Sequence, residues 1–115
     1  MKSAYDHRLQ QALQRWANEE AQAVDKARHT GDERALSLAQ TRKSLLEWPN
    51  GMVAAACRMG EDTYARVRAQ IAERAEKHRA AQDYDALERS ETQLDYLDRA
   101  RVLAAEIEAG GENDE

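Results

Sequence analysis

Apolar residues recur at three- and four-residue steps along most of this chain. Tyr5, Leu9, Leu13, Trp16, Ala17, Ala23, Val24 and Ala27 keep that step, while Arg8, Gln11, Arg15, Asn18, Glu19, Gln22 and Lys26 fill the other side. This is the pattern of an amphipathic helix. Ser3 is a usable N-cap, Lys26, Arg28 and His29 put positive charge in the last turn, and Gly31 suits the C′ position. Asp32 then caps a second helix through Ala35, Leu36, Leu38, Ala39, Leu45 and Leu46. It must stop at Trp48-Pro49-Asn50-Gly51, which holds the only proline. Pro49 fixes its own φ and biases Trp48 away from the α region, and Asn50-Gly51 tolerate φ > 0.

Beyond that central turn, Met52–Met59 reads as a short helix without a polar face, stopped by Gly60 and in need of cover from another element. Asp62 or Thr63 starts the next helix, in which Tyr64, Val67, Ile71, Ala75 and His78 keep the step. The turn Ala80-Ala81-Gln82-Asp83 leads to a last helix through Tyr84, Leu87, Leu94, Leu97, Leu103 and Ile107, with Gly110-Gly111 as its end. The expected fold is all-α. It is a compact bundle of two antiparallel helical hairpins, four main helices in all, with a short extra helix after the central proline turn. Residues 1–110 form a single helical domain, and 111–115 an acidic frayed tail.

Two turns resemble each other. Lys26-Ala27-Arg28-His29-Thr30-Gly31-Asp32-Glu33-Arg34-Ala35-Leu36 lies over Lys77-His78-Arg79-Ala80-Ala81-Gln82-Asp83-Tyr84-Asp85-Ala86-Leu87. In the same register Trp16 overlays Val67, Leu13 overlays Tyr64 and Leu46 overlays Leu97. One helical hairpin used twice explains this, and so does convergence on common turn chemistry. The Gly-Asp-Glu-Arg-Ala-Leu and Asp-Tyr-Asp-Ala-Leu turns also resemble those between the helices of tetratricopeptide repeats. That family's Trp, Gly, Tyr and Pro spacing is absent, so no peptide-binding groove is implied.

Composition narrows the function classes. Much of the 42% apolar content is Ala and there is no Phe, so burial rests on Leu9, Leu13, Trp16, Leu36, Leu45, Leu46, Val67, Ile71, Leu87, Leu94 and Leu97 or on a partner. A homodimer that covers Met52–Met59 is the expected form. Net charge is -5, which disfavours a nucleic-acid binder. Residues 1–60 hold nine basic against seven acidic side chains and residues 61–115 eight against fifteen, so any partner of the second half is expected to be basic. Cys57 is alone, excluding an internal disulfide, and the opening residues hold no apolar run of signal-peptide type. A cytoplasmic protein without a membrane span is expected.

No motif for chemistry holds. None of His7, His29 or His78 has Glu three residues before it, as a ferritin-like di-metal centre needs, and Asp25 with His29 reads as a helix-end pair. Asp83-Tyr84-Asp85 opens like a calcium loop, but Glu88 stands where that loop needs Gly. Cys57 in its apolar run reads as a small buried hydrophobe. Met52–Met59, Gly60 and the Arg-bearing helix beyond resemble a helix-turn-helix, yet Glu61, Arg66 and Ala69 stand where it needs apolar residues, leaving a DNA-binding regulator the lesser alternative. No catalytic, cofactor-binding or metal-ligating residue is therefore assigned.

The distinctive feature is Glu88, Glu91, Asp95 and Asp98, which fall at steps of three, four and three beside the Leu87, Leu94 and Leu97 edge. They form one acidic stripe, either a partner-binding surface or a solvated face neutralised by Arg66, Arg68 or Arg74. The expected function is a small non-catalytic interaction protein, an adaptor, regulator or inhibitor with a protein partner. The alternative is an acidic mimic of nucleic acid that occupies the basic groove of a DNA- or RNA-handling machine, in the manner of some anti-restriction and anti-CRISPR inhibitors.

Overall fold

The computed structural model describes the backbone of residues 2–113 and the side chains of residues 4–110. Within them every regular element is a helix: α1 (Lys2–Thr30), α2 (Glu33–Leu45), α3 (Met52–Met59), α4 (Glu61–Ala80) and α5 (Tyr84–Asn113). None is long and apolar enough to cross a membrane.

The turns between α1 and α2 and between α4 and α5 are closed by the same bonds. Asp32 N–H reaches back to the Ala27 carbonyl at 3.1 Å, and Asp83 N–H to that of His78 at 2.9 Å. Asp32 Oδ1 then accepts from Ala35 N–H at 3.0 Å and Asp83 Oδ1 from Ala86 N–H at 3.2 Å, satisfying a free donor at each helix start. Further on, Thr41 Oγ1 donates to Ser37 C=O and Thr92 Oγ1 to Glu88 C=O, both at 2.9 Å. Each of these pairs stands in the register that overlays the two turns in sequence. The difference is the left-handed residue: Gly31 has φ +73° and Gln82 has φ +59°.

The central turn is made another way than expected. Its Trp48-Pro49 peptide is cis, and neither Asn50 nor Gly51 takes positive φ. Gly51 is demanded by close approach instead. Its N–H bonds Glu47 C=O at 2.7 Å, and a Cβ there would sit 2.5 Å from that oxygen and 2.6 Å from the Leu45 oxygen.

Two expected helix ends also differ. Ser3 lies inside α1, not at its cap, and Gly110-Gly111 lie inside α5, which runs on to Asn113. Glycine costs a helix about 0.5–1 kcal/mol but does not forbid helical φ and ψ, so two glycines near an end need not stop it. The expected frayed tail is helical as far as Asn113, and residues 114–115 lie outside those described.

The core gathers Leu9 and Leu13 of α1, Leu45 and Leu46 at the end of α2, Val53, Ala54 and Ala56 of α3, Tyr64 and Ile71 of α4, and Tyr96, Leu97 and Ala100 of α5. Trp16, Val67 and Leu94 pack against it half-buried. Short α3 touches all four longer helices, and α5 likewise meets every other helix. Its alanines allow that: a side chain of one carbon lets neighbouring backbones come close, at the cost of little buried area each. The segment from Met52 to Cys57 is thus covered within one chain, while Met59 at its end stays 69% exposed. The chain forms a slab of 49 × 34 × 19 Å.

Candidate functional site

α2 and α5 lie side by side with an open cleft of about 520 Å³ between them. Arg34 and Arg42, two helical turns apart, form the α2 wall, and Tyr84, Leu87, Glu88, Glu91, Thr92 and Asp95 the α5 wall. The α5 residues fall at steps of three and four, hence on one face. Leu87 is buried, whereas Tyr84 at the start of the wall is exposed.

Internal pairing removes much of the charge. Arg34 makes a two-pronged ion pair with Glu88, Nε to Oε1 at 2.8 Å and Nη2 to Oε2. That hydrogen bond holds the Glu88 carboxyl below the usual carboxylate range and raises the Arg34 guanidinium. Behind the cleft, Arg42 Nε donates to Glu20 Oε2 at 2.8 Å, and Tyr96 O–H donates to Glu20 Oε1 at 2.5 Å. Glu20 is buried at 9% exposure, so both of its oxygens are satisfied where an unpaired charge would be costly. Burial, then the bond to Glu20, pushes the Tyr96 phenol up to about 12. The Tyr96 ring meets Trp16 edge-on at 6.2 Å, and the Arg99 guanidinium lies over both rings, 5.3 Å from Trp16 and 4.8 Å from Tyr96. This assembly fastens α5 to α1 and fixes the Arg42 end of the wall.

The four stripe residues have separate fates. Glu88, Glu91 and Asp95 share the cleft and Asp98 does not. Asp98 turns to α4, taking Arg68 Nε at 2.8 Å on one oxygen and Nη2 at 3.1 Å on the other, and Tyr64 O–H at 2.9 Å. Arg68, foremost, holds its carboxyl below the usual range, and burial, then Asp98, raises Tyr64 to about 12. Asp95 has only Arg99 of its own helix at 4.0 Å and stays exposed, as does Glu91. The stripe is therefore capped by a cation at each end and open in the middle. Of the neutralising residues expected from α4, Arg68 does this for Asp98, while Arg34 comes from α2.

Sequence periodicity missed Arg34, Arg42, Glu20 and Tyr96 as parts of this region. Glu20 carried a signal, because it stands four residues from both Trp16 and Val24, on the apolar face. The exposed carboxylates of Glu91 and Asp95 can recognise positive charge. The Thr92 hydroxyl is turned to its own backbone, and the lining holds no His, Cys or Lys. Elsewhere, Cys57 is half-buried with its Sγ 3.8 Å from the Ala100 carbonyl, and burial raises its thiol to about 11, away from the thiolate. Among the described residues no three His, Cys, Asp or Glu side chains converge as a metal site. No known protein family, curated protein or solved structure matches the chain.

Proposed function

We propose that this chain is a non-catalytic interaction protein, made of two antiparallel helical hairpins about a central turn, and that it binds another protein along the α2–α5 cleft. The shared turn bonds support the paired-hairpin arrangement. The ion pairs agree, since Glu20 with Arg42, Arg68 with Asp98, and Glu61 with Arg101 each straddle one turn. The observation that carries the binding reading is the charge left over in the cleft. Arg34 cancels Glu88 and Glu20 cancels Arg42, leaving Glu91, and Asp95 with a 4.0 Å contact to Arg99 of its own helix, exposed beside the Leu87 edge. Of the four candidate partner-binding residues, these two meet a partner, while Glu88 and Asp98 hold the helices together. A nucleic-acid mimic asks for an unbroken run of anions, which Arg34 and Arg68 interrupt.

The test is capture from cells that make the protein, with tagged wild type beside a Glu91→Gln/Asp95→Asn variant of equal helicity. A partner present with wild type and depleted with the variant is expected, its association rate falling as salt rises. An identical captured set would rule out the cleft as the docking face.

A further inference from the structure

We infer that the occupant of the α2–α5 cleft is an amphipathic helix about three turns long that carries two arginines or lysines four residues apart. This deepens the interaction reading above and rests on it. Length follows from the wall. Tyr84 to Asp95 spans about 16 Å at 1.5 Å per residue, three helical turns. Charge follows from the pairing, because the cleft's two arginines are engaged with Glu88 and Glu20, and the exposed carboxylates are Glu91 and Asp95, the latter touched at 4.0 Å by Arg99 from outside the cleft lining.

Spacing selects a helix over an extended strand. Glu91 and Asp95 are one turn apart, about 5–6 Å between their Cβ atoms. Basic side chains at i and i+4 of an adjacent helix repeat at that interval, whereas strand residues on one face repeat at about 7 Å. The fourth observation is independent of the acids. Tyr84, one of three large apolar residues left exposed among the described residues, stands at the start of the same wall at 64% exposure. Its ring face accepts a guanidinium or ammonium, and the ring edge lies against the alkyl stem behind that charge.

The probe is a labelled 16-residue helical peptide of Ala, Leu and Gln with two Arg four apart. Its comparison twins carry Gln for Arg, or the two Arg only two residues apart. Fluorescence anisotropy with the full chain at low salt is expected to show the spaced-Arg peptide binding about tenfold more tightly than either twin, with the advantage shrinking as salt rises. Glu91→Gln/Asp95→Asn is expected to remove that advantage and Tyr84→Ala to reduce it a few-fold. Glu106→Gln/Glu108→Gln makes the same change of net charge at the far end of α5 and is expected to leave it intact.

Equal binding of the three peptides would overturn the inference. So would equal loss in the Glu106/Glu108 variant, which would mean attraction by net charge alone. If the peptides fail while a cellular partner still depends on Glu91 and Asp95, the helical occupant is wrong and the docking face stands. If capture ignores those residues too, both fall.

Discussion

Gly51 is held by space, not by torsion. Its φ of -59° suits any residue, yet an added Cβ would lie within 2.7 Å of three backbone atoms that cannot rotate away. We expect Gly51→Ala to cost about 1–3 kcal/mol or more, read as a lower urea midpoint at unchanged slope. Gln82 is the opposite case. It has the left-handed backbone that Gly31 has in the matching turn, and a side chain there costs about 1–2 kcal/mol. Gln82→Gly relieves that strain and loosens the unfolded chain, for a net gain of up to about 1 kcal/mol, visible as a higher melting temperature. The reason for a glycine at position 51 was not legible in the sequence, because the approach of Glu47 depends on how the central turn folds back. The aspartate caps were legible, because Asp32 and Asp83 act on backbone three residues away.

At the scale of the helix, periodicity located all five elements because a buried stripe repeats every three or four residues whatever it packs against. Ends were less legible, since only about 1–2 kcal/mol for the glycine pair decides whether α5 crosses Gly110-Gly111. The acidic stripe was visible as four residues on one face, but its division was not. The cation on Glu88 comes from 54 residues away in sequence, a distance that spacing within a helix does not cover. The same holds for Glu20, whose partners arrive from α2 and α5. Tyr96→Phe removes one of these donors and leaves a buried carboxylate short of a hydrogen bond. We expect a loss of about 1–3 kcal/mol by urea unfolding, and a smaller loss when Glu20 is already Gln, since an amide keeps fewer demands than a charge.

Across the whole molecule, four groups make the fold sensitive to alkali. Burial, foremost, raises Tyr5, Tyr64 and Tyr96 to about 12 and Cys57 to about 11, from ordinary values of 10.0 and 9.0. The unfolded chain loses these protons first, so it binds fewer than the folded chain as pH climbs and stability falls. The contribution is full below about pH 9 and is lost by about pH 12, which urea melts at pH 8, 10 and 11 would follow. A steeper loss for wild type than for Tyr96→Phe is expected between pH 10 and 11. Asp98 acts in the opposite sense: Arg68 lowers its pKa, so its contribution holds above the usual carboxylate range and fades as acid protonates it. Shape has its own consequence. At 1.5 Å per residue α1 and α5 are about 43 and 45 Å long, which fits the 49 Å dimension of the slab and exceeds the 34 Å and 19 Å ones. Helical N–H bonds point along the helix axis, so the amides of both helices lie near the long axis of the slab, where only the slow end-over-end rotation reorients them. Their 15N transverse-to-longitudinal relaxation ratios would be uniformly high, above those of any amide whose N–H bond lies across the slab.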